Sequence, residues 1–172
     1  MAAALELFAE HGVGGTSLQM IADAVGVTKA AVYHRFQAKD EIVIAVTEAE
    51  LGRLEEALLA AEVETNRPQA RKLLLDSVID LTVARRRLVA TMTFDPVIVR
   101  LLGEHEPFRQ FVTRLYAVLL DEHDDVEARV SAAVLSGAIG GAVANPLIAD
   151  IDDDTLRPVL LGLIQRMLNL AG

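Results

Sequence analysis

Between Thr16 and Lys39 the sequence gathers side chains suited to meeting a phosphate-lined, base-bearing surface. Thr28, Lys29, Ala30 and Ala31 stand in a row, followed by Tyr33 and His34. Alanines in the first turn of a helix permit close approach and pack on thymine methyls, while the Lys29 ammonium reaches either a guanine edge or a phosphate. Tyr33, His34 and Lys39 offer further donors to phosphates, and Thr16, Ser17 and Gln19 offer the same at a preceding helix start. The alternative readings are a core aromatic for Tyr33 and a solvated cation for Lys39.

Two short helices and a turn must hold these groups. Leu18–Val25 has helical spacing with Thr16 or Ser17 as its N-cap. Gly26 then supplies the backbone conformation of a tight turn, which β-carbons resist. Thr28 caps a second helix from Lys29 to about Phe36. Small Ala22 lets the two helices cross closely, and Ile21, Val25 and Val32 fill the contact. A small residue, a glycine four later and an aliphatic six after that is the pattern of a helix-turn-helix, and also of a plain packed hairpin. Charge favours the first reading locally. Val13 to Lys39 carries Lys29, Arg35 and Lys39 against Asp23 alone, in a chain of net charge −9. A small basic patch on an acidic body fits a nucleic-acid-binding head better than a generic polyanion binder.

The stretch "ALELFAEHGVGGTSLQMIADAVGVTKAAVYHRFQAKDEIV", Ala4 to Val43, resembles the DNA-binding region of the TetR family of transcriptional repressors. The family's spaced pattern is met by Ala4, Leu7, Phe8, Gly12, Thr16, Ser17, Ile21, Ala22, Gly26, Val27, Thr28, Val32, Tyr33, Phe36, Lys39, Asp40 and Ile42. The resemblance covers about a quarter of the chain. It implies a palindromic double-stranded operator read by a homodimer, an unknown small-molecule effector, and a C-terminal helical domain that binds the effector and forms the dimer. Two departures stand out. The chain begins partway into the family's first helix, without its basic arm; the expectation is either a truncated or mis-assigned start or the absence of the arm's phosphate contacts. Ala38 also replaces the serine that commonly caps the helix beginning at Lys39, which weakens that start by up to ~1 kcal/mol.

The rest of the chain reads as all-α. Hydrophobic residues make up 52% and aromatics 4%, so the core is aliphatic and favours helices. Prolines and glycines punctuate about nine helices, with Asp95 N-capping a helix opened by Pro96. The division expected is a head over residues 1–46 and an effector-binding and dimerisation domain over 47–172, joined within a long helix from about Asp40 to Val63. Without cysteine there are no disulfides or thiolate metal sites, which fits a reducing cytoplasm. The uncharged run from Val130 to Ala149 is long enough to span a bilayer, but its glycines, Ser131, Ser136, Asn145 and acidic flanks favour a buried helix, with no membrane role.

In that body, Met92, Phe94, Phe108, Phe111 and Tyr116 are candidate linings for an apolar or amphipathic effector, with ordinary core as the alternative. Ala133, Gly137 and Gly141 form one row of small residues, and Ser136, Gly140 and Ala144 its neighbour. Such rows admit another helix at close range, either in a dimer or within one subunit. A final stripe including Leu156, Val159, Leu160, Leu163, Met167 and Leu170 would complete a two-fold four-helix interface. Other clusters carry less. Arg85–Arg87 are solvated cations or an anion site. His105 and His123 lie among carboxylates without an i, i+4 histidine pair, so no metal site is expected. Asp150, Asp152 and Asp154 lack the glycine and glutamate of a calcium loop and instead cap the final helix. No phosphate-binding glycine loop and no nucleophile–base constellation is present, and no cofactor is expected. The expected function is a cytoplasmic DNA-binding regulator, a repressor released by its effector, and not an enzyme. The alternatives are a helical ligand-binding or interaction protein with impaired DNA binding, or a small helical enzyme.

Overall fold

In the computed structural model, which describes residues 2–120 and 126–168, the chain is helical throughout. The helices are α1 (Ala2–Gly15), α2 (Leu18–Val25), α3 (Lys29–Arg35), α4 (Lys39–Val63), α5 (Arg67–Ala84), α6 (Arg86–Phe94), α7 (Pro96–Glu104), α8 (Glu106–Leu120), α9 (Val126–Ala144) and α10 (Asp153–Met167). A 3₁₀ turn, Pro146–Ile148, joins the last two. The described residues thus hold ten α-helices where spacing gave about nine.

Capping chemistry sets most boundaries. Ser17, Thr28, Asn66, Asp95 and Asp152 each accept a backbone N–H with their side chains at a helix start. Gly26 sits left-handed at φ 71°, ψ 30° and closes α2, as the turn demands. Ala38 caps α4 without a side-chain bond, but Asp40 and Glu41 in the first turn complement the helix dipole. Asn145 ends the glycine-rich helix by capping the 3₁₀ turn.

Two apolar cores result. The body core joins α4, α5, α8, α9 and α10 around fully buried Leu58, Leu74, Leu75, Ile79 and Leu119. The head core gathers Phe8, Val13, Ile21, Ala22, Val32, Ile42, Val43 and Val46, and is completed by Ile98 and Leu102 of α7. Ile21, Ala22 and Val32 fill the α2–α3 contact as their spacing requires, but Val25 is half-exposed and does not. The most extensive helix pair is α6 on α9. There a Cβ on Gly140 would stand 2.5 Å from Thr93 Oγ1, so the small-residue row admits a helix of the same chain.

Candidate nucleic-acid interface and body groove

Val32 and Ile21 anchor α3 to the head core, so the remaining faces of this seven-residue helix point outward. Lys29, Ala30, Ala31, Tyr33 and His34 are all exposed, and the Lys29 ammonium lies 5.5 Å from the centroid of the Tyr33 ring. That cation–π contact gives the lysine a resting position without burying it. Thr28 Oγ1 accepts the Ala31 N–H at 3.2 Å, and Ser17 Oγ accepts the Met20 N–H at 3.1 Å. Both hydroxyls are exposed and keep their own hydrogens to donate. Gln19 donates its amide to Asp23 Oδ1 at 2.7 Å. Arg35, not singled out by spacing, is a further exposed cation on the last turn of α3, stacked 5.7 Å from the Phe36 ring.

Two expected phosphate donors are occupied instead. Thr16 is buried, and its single hydroxyl hydrogen is shared between Gly12 O at 2.8 Å and Leu7 O at 3.1 Å. The Lys39 ammonium donates to Thr16 O at 2.8 Å and to Val13 O. Both side chains satisfy carbonyls where α1 ends, and the cation sits at the negative end of that helix. They fasten α1 to the helix-turn-helix and do not face outward.

A third fastening ties α1 to the body, and no sequence signal marked it. Gly12 breaks α1 with φ 69°, ψ 167°, which frees the Val13 N–H from the helical ladder. Asp95 Oδ2 accepts that N–H at 2.9 Å, while its Oδ1 accepts Val97 N at 2.9 Å and Ile98 N at 3.3 Å at the start of α7. One carboxylate therefore caps a body helix and holds the head. A Cβ at position 12 would stand 3.2 Å from Asp95 Oδ2, so both the positive φ and the close approach call for glycine.

The aromatic candidates separate. Phe108 and Tyr116 line a groove of about 650 Å³ between α8 and α9, which Leu102 and Gly103 of α7 also line. Phe111 belongs to the body core and, with Phe108, borders a cleft of about 220 Å³ between α4 and α7–α8 that also holds Glu48 and His105. Met92 packs on the head core, and Phe94 is 60% exposed beside Gly141, so neither lines the groove. Arg109, Val112, Thr113, Ala117, Leu120, Arg129 and Ser136 do line it. The signal for the α8 members was their i, i+4 recurrence, masked by the stronger apolar stripe of Phe111 and Leu115. Burial pushes the Tyr116 phenol up from its ordinary pKa, opposed by its hydrogen bond with Ser136, so it stays neutral.

The interface candidates also separate. Gly140 and Leu160 are buried within the chain, Gly140 against Thr93 and Leu160 in the body core. Gly141 is half-buried. Ala133, Gly137, Leu163 and Met167 are exposed, and a Cβ on Gly137 would meet nothing. The final stripe splits: Leu156, Leu160 and Ile164 turn inward, while Val159, Leu163 and Met167 turn outward, and Leu170 lies outside the described residues. On α9, Val126, Val130 and Val134 recur at i, i+4, i+8 and are more than half exposed.

The polar clusters are structural. Arg85 pairs with Glu50, and Arg86 with Asp153 and the Ile151 carbonyl. Asp152 caps α10, its carboxyl held below the ordinary range by bonds from Thr155. Among the described residues no three His, Asp or Glu side chains could hold a metal; His123 lies outside them. No described helix is long and apolar enough to cross a membrane.

Residues 1–46 match the family described as bacterial regulatory proteins, tetR family. Over 168 residues the chain is 29% identical to the HTH-type transcriptional regulator AcrR of Shigella flexneri, covering 85% of this chain and 75% of that protein. Its fold is that of the fatty acid degradation regulator FadR from Bacillus halodurans, with TM-score 0.74, 20% identity and coverage of 99% and 96% of the two chains. FadR from Bacillus subtilis, solved in complex with stearoyl-CoA, matches with TM-score 0.68, 18% identity and coverage of 95% and 94%.

Proposed function

The chain belongs to the TetR family of DNA-binding transcriptional regulators, and on that premise we propose that it acts as a homodimeric repressor released by an apolar or amphipathic effector. The observation that carries this reading is the pairing of an outward, uncommitted α3 surface with a body groove whose wall, Leu102, is also a head-core residue. Lys29, Ala30 and Ala31 on the first turn of α3 read base edges in the major groove. Ser17, Gln19, Thr28, Tyr33, His34 and Arg35 meet the flanking backbone. Each head takes one half of a palindrome, the halves lying about 34–36 Å apart.

The dimer forms through the outward faces of α9 and α10. Val130, Val134, Val159, Leu163 and Met167 leave a large apolar surface exposed on one chain, and Gly137 lets a partner helix come close. The effector occupies the α7–α8–α9 groove. The structural neighbour bound to stearoyl-CoA supports an amphipathic ligand class.

Selection of bound duplexes from random DNA tests the reading, with a two-fold palindrome as the expected product. Lys29→Ala should then cost roughly 1–3 kcal/mol on the selected site and much less on scrambled DNA. Leu163→Glu should give monomers by light scattering and abolish palindrome preference. Recovery of no enriched sequence would refute the regulator assignment, and a dimer that survives Leu163→Glu would move the interface elsewhere.

A further inference from the structure

We propose that Tyr33 is a positioning residue for sequence readout: the face of its ring holds the Lys29 ammonium on the outward surface of α3 for a base edge, while its hydroxyl stays available to the DNA backbone. This role rests on the reading of Lys29 as a base contact and gives the ring a task that a backbone contact does not require. Its first support is placement. Val32 is the buried residue of α3 and fixes that helix's inward direction. At about 100° per residue, Ala30 stands nearly opposite Val32, and Lys29 and Tyr33 share one flank, about 60° and 100° from it. The two are four residues apart, the spacing at which side chains meet on a helix surface. Side chains on a helix lean toward its N-terminus, so the Tyr33 ring comes back over the turn that carries Lys29. The ammonium lies 5.5 Å from the ring centroid, inside the ~6 Å reach of a cation–π contact. The ring takes no part in the head core and is 47% exposed, so core packing does not account for an aromatic at this position.

The second support is what the contact does for a lysine. Its ammonium rides on a flexible four-carbon stem, and ordering that stem against a base removes most of its rotamer freedom. A ring contact formed before DNA arrives meets part of that cost in advance. At an exposed site such a contact corresponds to about two- to fivefold in an equilibrium constant. It does not use up the donors. The ammonium carries three, and a ring face engages one side of it, which leaves donors for the N7 and O6 acceptors of a guanine. Ala30, the most outward residue, is exposed and too small to stand between the ammonium and the groove floor. The gain falls on sequence readout. A phosphate attracts an ammonium over a wide range of lysine positions, whereas a base edge needs an N–H aimed within hydrogen-bond geometry. The ring therefore favours the selected duplex over unrelated DNA.

The test uses the full chain with the selected duplex and a scrambled one of equal length at fixed salt, and reads the ratio of the two affinities. Tyr33→Leu removes the ring but keeps a helix-forming apolar side chain, and should lower that ratio about two- to fivefold. Tyr33→Phe keeps the ring and should keep the ratio, with any lost backbone contact of the hydroxyl falling on both duplexes alike. In a Lys29→Ala background, Tyr33→Leu should leave the ratio unchanged, because no ammonium remains to be positioned. Proton NMR of the DNA-free protein gives a second readout. The Lys29 ε-methylene protons should be ring-shifted in the parent and in Tyr33→Phe, and should lose that shift in Tyr33→Leu. The proposal is overturned if Tyr33→Leu leaves the ratio unchanged or raises it, or if Tyr33→Phe lowers it as much as Tyr33→Leu does. It is also overturned if Tyr33→Leu acts equally without Lys29, or if the ε-methylene shift is the same in all three proteins. An equal loss on both duplexes in Lys29→Ala would remove the base contact itself, and the role of Tyr33 with it. A loss confined to the selected duplex in Lys29→Ala, with no effect of Tyr33→Leu, would leave the base contact standing and remove only the role of the ring.

Discussion

Replacing Asp95 by asparagine isolates the bond between head and body. The carboxylate serves two partners, the Val13 N–H through Oδ2 and the first turn of α7 through Oδ1. Asparagine is nearly as good an N-cap, so its amide oxygen can keep α7. Its NH₂ then faces the Val13 N–H, donor against donor, and the buried amide of Val13 loses its acceptor. Leaving a buried donor unpaired costs about 1–3 kcal/mol. Asp95→Ala removes the cap as well, a further ~0.5–2 kcal/mol. For a chain of this length 1 kcal/mol moves the melting temperature by roughly 2–4 °C, so the asparagine variant should melt about 2–12 °C lower. Amide exchange locates the effect: Val13 should exchange faster in Asp95→Asn, while Val97 and Ile98 keep their protection. If the asparagine variant matches the parent in both melting and Val13 exchange, and only alanine destabilises, then Asp95 is a cap and nothing more.

Three further outcomes follow from the same contacts. Lys39→Met keeps the apolar stem and removes the bonds to Val13 O and Thr16 O, so it should cost about 1–3 kcal/mol of stability while leaving the salt slope of DNA binding unchanged. A slope reduced by about one per site would restore a phosphate contact. Gly140→Ala places a Cβ 2.5 Å from Thr93 Oγ1 and 2.9 Å from its Cγ2, so it should destabilise by ~1–3 kcal/mol, with Thr93→Ala recovering part of the loss in a double-mutant cycle. Tyr116 has a folded pKa raised by burial, so the folded state holds its proton more tightly than the unfolded chain does. The associated stability is complete below about pH 10 and declines as pH rises from there through the folded value, and Tyr116→Phe should flatten that alkaline slope in a thermal scan.

The head was legible because each of its signals is local. Gly26, Thr28, Ser17 and the Ile21–Ala22–Val32 contact act within a few residues of one another, and spacing alone specifies them. Lys39 misled for the opposite reason. Its position after α3 suits a phosphate contact, but its ammonium is taken by carbonyls 23 and 26 residues earlier, which no local pattern encodes. Thr16 failed likewise, since spacing cannot tell whether a hydroxyl donates outward or into its own helix end. In the body, the row of Ser136, Gly140 and Ala144 on α9 was legible as a surface that admits a helix, through Gly140. Which helix was not, because Thr93 and Gly140 are neighbours only after α6 has folded back on α9. The Asp95–Val13 bond spans 82 residues, and in sequence Asp95 showed only its cap.

The division of the two cores bears on how a ligand in the body could influence the outward surface of α3. The head core is not closed by its own helices; Ile98 and Leu102 of α7 lie in it, 2% and 5% exposed. Burying one such aliphatic side chain contributes about 1.5–3 kcal/mol, so withdrawing both would cost roughly 3–6 kcal/mol before the Asp95 bond is counted. Coupling energies between effector and DNA sites are typically about 1–3 kcal/mol. A ligand that displaced α7 would therefore carry the head with it, since separating the two costs more than the coupling can supply. Leu102 makes the path short, because the same side chain is a head-core residue and a wall of the α8–α9 groove. On the proposed reading, an occupant that shifts Leu102 re-aims α3 as a rigid unit. Loosening α7 from the head, as in Asp95→Asn, should then weaken the effector's influence on DNA without abolishing either binding event.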